Sequence, residues 1–444
     1  MAELTVGIDI GTSSVKAVAA DADGNVIARS RVPHDIVIPS PLRFEHDARL
    51  AWAQGAKRAL DGLGSLRPAA VSVAAMIPSL TAVDDTGVPC APGVLYGDER
   101  GCAPDATALD VGEIGEAREF AQLLRWHSTE HPDARGYWPA QTVANHALSG
   151  EDVISTTIAA TMVPLFDWID WDEKQLAECG ARPDQMPTIG VSGQPLGEVA
   201  GRDGCVLEGG TIDALGEQLV AGCDKVGDVL VICGTTLIVW VVVDDAVSVP
   251  GHYTIPHTAP GKYLVGGPSN AGGLFLNWAT RLLAERTGES SANPVRVPIW
   301  APYPRGERVP SHDSTCRAQL IDLDLMHDSA AVRRAAFEAS GFVTRRMIDA
   351  SSTPARRVVA TGGGTRVDEW MQAIADCTAL PVHVSAVPEG GALGAAFLAR
   401  LAANFETSTA DAGRWARTAR IVDPDPAWST AVADRYGRFC AQGP

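Results

Sequence analysis

Asp9 is a carboxylate inside an otherwise apolar stretch, Leu4 to Ile10, and it stands two residues before Gly11-Thr12-Ser13. A glycine and hydroxyl residues directly after a strand offer backbone N–H groups and side-chain hydroxyls to an anion. A charge buried in a strand without a partner is costly. Asp9 therefore either caps the turn or serves, through water or directly, as a ligand of a Mg²⁺ that bridges phosphate oxygens. Two familiar phosphate loops are excluded, because GxxxxGK[ST] and GxGxxG both open a helix. Here Val15 to Ala20 is a second apolar run, and Asp23-Gly24-Asn25 turns into a third from Val26 to Val32. An anion would sit at the tip of a hairpin.

The pattern recurs. Val229 to Asp245 repeats the arrangement of Val6 to Ala22, with Gly234-Thr235-Thr236 in place of Gly11-Thr12-Ser13, an offset of 234 − 11 = 223 residues. Two related domains, each with a phosphate-binding hairpin, would clamp a triphosphate from both sides. Only the first copy carries the acid, since Ile232 stands where Asp9 does. Asp213 follows Gly209-Gly210-Thr211-Ile212 at the expected start of a helix. It is either a helix cap or a general base that takes the proton of a hydroxyl attacking the γ-phosphate. Val358 to Thr361 runs into Gly362-Gly363-Gly364 and a helix bearing Trp370 and Ile374. Glycines there form a strand–helix turn or admit a flat ring or ribose to the backbone.

The elements that must carry these groups are of mixed type. Apolar periodicity predicts helices over 47–60 and 328–347, among meander strands, so the fold class is α/β. The small residues of Pro388 to Ala396 read as a helix packed tightly on a sheet, and Val297 to Pro310 as a constrained Pro-rich loop. At 444 residues the chain suits two domains, with a boundary after Gly222 that gives 1–222 and 223–444. Its 36 basic and 54 acidic residues leave −18, which disfavours nucleic acid and anionic membranes as partners. Nine cysteines without a CxxC pair indicate neither zinc nor a disulfide framework. No apolar run approaches membrane-spanning length, and the expected location is cytoplasmic.

Taken together these segments resemble the FGGY carbohydrate kinases of the actin, hexokinase and heat-shock ATPase superfamily. The resemblance extends over Gly7 to Ser14, Phe44-Glu-His-Asp with Trp52, Val94 to Arg100, Leu165-Phe-Asp with Trp171, Gly234 to Thr236, Ala271 to Gly273 with Trp278, Gly306 to Arg317, Gly362 to Asp376 and Glu389 to Ala396. It implies two ribonuclease-H-like domains of the actin-like ATPase fold with an active-site cleft between them, and ATP with Mg²⁺ as cofactors. It makes Asp213 the general base and Asp9 the Mg²⁺-linked acid. Gly11, Thr12, Ser13, Gly234, Thr235, Thr236 and Gly273 would meet ATP phosphates. Gly363 and Gly364 would lie at adenine or ribose, with Val367 where many relatives have a polar residue facing adenine. Glu389 to Ala396 would belong to the adenosine end.

The chain departs from the family at the sugar. Relatives acting on xylulose show a Gly-Gln-Met-His-Gly-like stretch and those acting on glycerol Asn-Gln-Arg-Glu, where this chain has Ala75-Met-Ile-Pro-Ser79. Pro78 lacks even a backbone N–H. A different or smaller polyol is expected, held by Ser79, Asp98, Arg100 and Asp213. The implied activity is ATP-dependent phosphorylation of a sugar or polyol hydroxyl. The alternative is a catalytically silent ATP-binding relative that acts as a regulator or sensor. A homodimer is the assembly considered.

Overall fold

The computed structural model of the chain describes residues 3–40, 42–100, 115–259, 261–283 and 293–442. Two compact units emerge, Met1–Val220 with Glu389–Trp415, and Ala221–Pro388 with Ala416–Pro444.

The first unit is built on β1 (Thr5–Ile10), β2 (Ser14–Ala20) and β3 (Val26–Pro33), an antiparallel meander as the apolar runs and the Asp-Gly turn predict. A short strand β4 (Glu45–His46) follows. The predicted helix over 47–60 is a π-helical segment Arg49–Gln54 that runs on into α1 (Gly55–Asp61), with Trp52 fully buried. Next come β5 (Ala70–Ala75), β6 (Ser79–Val83), β7 (Gly93–Leu95), α2 (Gly115–Glu130), β8 (Gly136–Trp138) and α3 (Ala140–Ser149). The remaining pieces that matter here are β9 (Pro195–Glu198), β10 (Val206–Glu208), β11 (Thr211–Ile212) and α4 (Asp213–Val220). The main sheet has the order β9-β10-β5-β1-β2-β3, with β11 also paired to β5. In it β5 runs parallel to β1, and β10 and β11 run parallel to β5. A smaller antiparallel sheet has the order β4-β7-β6-β8.

The second unit repeats the theme. Its strands are β12 (Asp228–Cys233), β13 (Leu237–Val243), β14 (Tyr253–Pro256) and β15 (Tyr263–Ser269), followed by α5 (Gly273–Arg281), α6 (Ser329–Ala350), β16 (Arg357–Thr361), α7 (Asp368–Thr378) and β17 (Val382–Ser385). The sheet order is β14-β15-β13-β12-β16-β17, closed by Thr418–Val422. Here β12 pairs antiparallel to β13 and parallel to β16, as β1 does to β2 and β5. The helix predicted over 328–347 is α6, capped by Asp328, whose side chain accepts the Ala331 N–H. The eight described cysteines are free thiols, and Cys102 lies outside the described residues.

The 1–222 and 223–444 division needs correction at one place. Glu389–Trp415 belongs to the first unit because α8 (Gly390–Ala402) packs on β1, β5 and α4. The contact is backbone on backbone. A Cβ at Gly7 would lie 1.7 Å from the Ala392 carbonyl oxygen, and one at Gly394 would lie 2.0 Å from that of Gly216. Thr5 Oγ1 donates to the Ala396 carbonyl at 2.8 Å. The run of small residues does lie tightly on a sheet, and that sheet is the one built by the N-terminal part of the chain.

Side chains therefore cannot be added at this seam. Gly394→Val is expected to cost roughly 1–3 kcal/mol or more through forced backbone shifts. Gly437→Ala, within the helix Ser429–Ala441 and with nothing within 4 Å of its Cβ position, should instead gain roughly 0.5–1 kcal/mol. Thermal melting of the two variants beside the parent chain measures both.

Candidate active site

In the first unit, Asp9 lies near the end of β1 and directly opposite Lys16 on β2. The Lys16 ammonium donates to Asp9 Oδ2 at 2.9 Å, and Asp9, joined by Glu217 and Glu389, raises the Lys16 pKa. A Cβ at Gly391 of α8 would stand 3.4 Å from Asp9 Cγ and 3.5 Å from the Asp213 carbonyl oxygen, so three separate elements meet at this point.

Asp213 is the first residue of α4, and the segment leading to it is held carbonyl by carbonyl. Gly209 O accepts from Ser155 N–H and Asn145 Nδ2, Gly210 O from Ser155 Oγ at 2.6 Å, and Thr211 O from Gln141 Nε2. Gly210 N–H donates to buried Glu208 at 2.7 Å. Gly210 has φ +96, and a Cβ there would meet the Val73 carbonyl at 2.5 Å. Burial, and secondly the Asp9 charge, push the Asp213 carboxyl up to about 6, against the opposing pull of the Ala214 N–H and Lys16. A carboxylate so poised can accept a proton near neutral pH.

The two hairpins share a construction. In the first, the Thr12 carbonyl is 3.0 Å from His46 Nε2 and the Ser13 carbonyl accepts the His34 N–H at 3.1 Å. In the second, the Gly234 and Thr235 carbonyls accept the N–H groups of Gly273 and Leu274, at 2.8 and 3.0 Å. With the carbonyls tied inward, the amides of Thr12, Ser13, Thr235 and Thr236 make no hydrogen bond among the described residues. Such amides are what an anion needs. The second turn is one residue tighter, with three residues between the pair Cys233 and Leu237 against four between Ile10 and Val15.

Gly273 therefore differs from its expectation. Its N–H is spent on Gly234, and its lack of a side chain lets α5 abut the hairpin, where a Cβ would be 2.7 Å from the Gly234 carbonyl. Glu307 braces the same place. Buried, it accepts from Ser269 Oγ and from the Asn270 and Arg308 N–H groups, and burial lifts its carboxyl to about 7. Arg317 donates to the carbonyls of Ser314 and Cys316.

The triple glycine also divides. Nothing lies within 4 Å of a Cβ at exposed Gly363, whereas one at Gly364 would be 2.2 Å from the Trp370 ring. Gly364 is thus required by packing, and Gly363 leaves backbone open to a flat ligand. Val367 is half-buried at the start of α7 and accepts the Trp370 and Met371 N–H groups.

Three of the four residues expected to hold the sugar, Ser79, Asp98 and Arg100, are engaged within the protein. Asp98 takes both Arg100 Nε and Nη2, and also the backbone N–H groups of Arg100 and Phe44, at 2.6–2.9 Å. Arg100 Nη1 goes to Glu45 at 2.7 Å, and its guanidinium lies over the Trp126 ring. Ser79 Oγ, buried, accepts the Ala140 N–H. These three are framework, and nothing in their sequence context distinguishes framework from contact. Lys16, Glu208, Gln141, His46 and Glu307 were missed. The signal for Lys16 was available, because the hairpin register places it opposite Asp9.

Among the described residues no cluster of three or more His, Cys, Asp or Glu could hold a metal by itself. No described helix is long and apolar enough to cross a membrane.

Comparison with known proteins agrees with this construction. Residues 4–203 match the N-terminal domain of the FGGY family of carbohydrate kinases, and residues 229–403 match its C-terminal domain. The chain is 26% identical to the xylulose kinase of Escherichia coli (strain K12), with 91% of each chain covered. It is 25% identical to the gluconokinase of Bacillus subtilis (strain 168), over 90% of this chain and 87% of that one. The crystal structure of gluconate kinase from Lactobacillus acidophilus superposes at a TM-score of 0.82 with 20% identity, covering 100% of this chain and 98% of that one. Its likeness gives the fold, the two-domain actin-like ATPase fold. With both domains matched in order along the sequence, the chain belongs to the FGGY family of carbohydrate kinases.

Proposed function

We propose that the chain transfers the γ-phosphoryl group of ATP to a hydroxyl of a small sugar or polyol, with Asp213 as general base. The observation that carries this reading is the Asp213 carboxylate, pre-positioned by a cage of buried polar side chains and lifted to about 6 beside Asp9. A silent nucleotide binder would have no use for such a group. Asp213 accepts the hydroxyl proton while the new O–P bond forms, and the bond from the γ-phosphorus to the bridging oxygen breaks to release ADP. The free amides at Thr12, Ser13, Thr235 and Thr236, with the hydroxyls beside them, bind the phosphate oxygens. Gly363 gives adenine or ribose access to backbone.

Mg²⁺, when bound, neutralises charge on those phosphate oxygens. Asp9 would hold it, through the Oδ1 that Lys16 leaves unused. One carboxylate with no preformed cage suits an ion that keeps several waters and shares the substrate's phosphates. Lys16 pairs with Asp9 and opposes the effect of the Asp9 charge on Asp213.

The acceptor is a small hydroxylated molecule. The relatives include kinases named for xylulose and for gluconate, so the assay panel is ketoses, pentitols, glycerol and gluconate, scored by ADP release. Stimulation by one member is expected, and stimulation by none would favour the nucleotide-binding regulator.

Asp213→Asn should lower turnover roughly 10²–10⁴-fold while Mg·ATP binding survives in calorimetry. The same variant should melt higher than the parent at pH 8. A carboxyl whose folded pKa exceeds its unfolded value stabilises the fold below that unfolded value, and the benefit is lost as pH rises through about 6. Activity runs the opposite way: kcat/KM should fall about tenfold per pH unit below about 6 as the base protonates. Lys16→Met removes the cation opposing that rise, so the acidic limb should move to higher pH.

A further inference from the structure

We infer that His46 is a positioning residue, whose ring holds the first hairpin in its anion-receiving shape as the start of α5 holds the second. The inference rests on reading Gly11 to Ser13 as a phosphate-binding turn.

The geometry leaves His46 one arrangement. It is 1% exposed, and both ring nitrogens are engaged. Trp52 Nε1–H, which can only donate, lies 3.0 Å from Nδ1, and the Thr12 carbonyl, which can only accept, lies 3.0 Å from Nε2. The proton is therefore on Nε2, and the ring is the neutral tautomer. Burial, with His34 beside it, lowers its pKa to about 4, so it stays neutral in any ordinary assay. The His34 ring packs edge-on against it, 4.5 Å between centroids, and the His34 backbone N–H takes the next carbonyl of the turn.

The strut reaches further than the turn. His46 and Glu45 form β4, paired to Gly93 and Val94 of β7. A Cβ at Gly93 would collide with the Trp52 ring at 2.4 Å, so the glycine lets the indole reach His46. Beyond β7, the Tyr96 hydroxyl is 3.2 Å from Thr12 Oγ1, while Asp98 and Arg100 are bound back to Phe44 and Glu45. The turn is thus gripped at its Thr12 carbonyl by His46 and at its Thr12 hydroxyl by the loop that follows β7. Without the His46 bond the Thr12 peptide is free to rotate, and its neighbouring amides lose their common direction.

The test is Mg·ATP affinity by calorimetry on the full chain, which needs no knowledge of the acceptor. His46→Leu removes the donor, and His46→Gln places an amide N–H where Nε2–H was. His46→Leu should weaken Mg·ATP roughly three- to tenfold, the worth of one neutral hydrogen bond. His46→Gln should remain within about twofold of the parent. Should His46→Leu not fold, Trp52→Phe removes the indole donor that fixes the tautomer together with part of a buried ring, and weaker binding is again expected. Equal affinity in folded His46→Leu or Trp52→Phe overturns the proposal, as does equal loss in His46→Leu and His46→Gln. A parent chain that binds no Mg·ATP also overturns it. Binding without phosphoryl transfer to any acceptor overturns the proposed function alone.

Discussion

Repulsion between Asp9 and Asp213 is the constraint around which the first unit is arranged. The Asp9 charge near the end of β1 raises the cost of ionising Asp213 at the start of α4, and one lysine, paired with Asp9, opposes it. Lys16 can do so only from the strand opposite Asp9, which the hairpin register supplies. The third wall is α8, and it must approach without side chains, since a Cβ at Gly394 would strike the Gly216 carbonyl and one at Gly7 would strike that of Ala392. The small residues along that helix are thus the condition for bringing the Asp213 end of α4 close to Asp9. In energetic terms the unit accepts an unfavourable charge arrangement at one point and offsets it with close-packed backbone around it.

A second regularity concerns the direction of backbone groups. Both turns point their amides outward because donors behind them capture their carbonyls, and the donors are chemically unrelated. One turn uses an imidazole and a strand-end N–H, the other the first free N–H groups of a helix. The duplication therefore conserved an outcome and not its means. Neither hairpin has the helix that P-loops place directly behind the glycine: here the support comes from elsewhere in the chain.

Much of this was legible in the sequence. Strand, turn and strand were visible at both hairpins because Gly-Thr-Ser and Gly-Thr-Thr between apolar runs are local signals, and Asp23-Gly24 marked the next turn in the first copy. The offset of 223 residues disclosed two related sheets for the same reason. Asp9 stood out because an acid is costly in an apolar strand, and Asp213 because it opens a helix after Gly209-Gly210-Thr211-Ile212. What was hidden depends on partners remote in sequence. Asp98 and Arg100 look like ligand contacts until Phe44 and Glu45 are seen to occupy them. Gly273 and Gly364 look like phosphate and adenine contacts until the Gly234 carbonyl and the Trp370 ring are seen to need their space. The small residues after Pro388 announced tight packing but not the surface they pack on.

That last point bears on how the chain is made. Synthesis proceeds from the N-terminus, and domains commonly fold as they emerge. Here the sheet of the first unit is complete by Ile212, yet the helix that covers β1 and β5 is not translated until Gly390–Ala402. For the time needed to add the residues from 213 to 389, 389 − 212 = 177 of them, Gly7 faces no partner. The first unit is born open, and most of the second must be synthesised before the first can close.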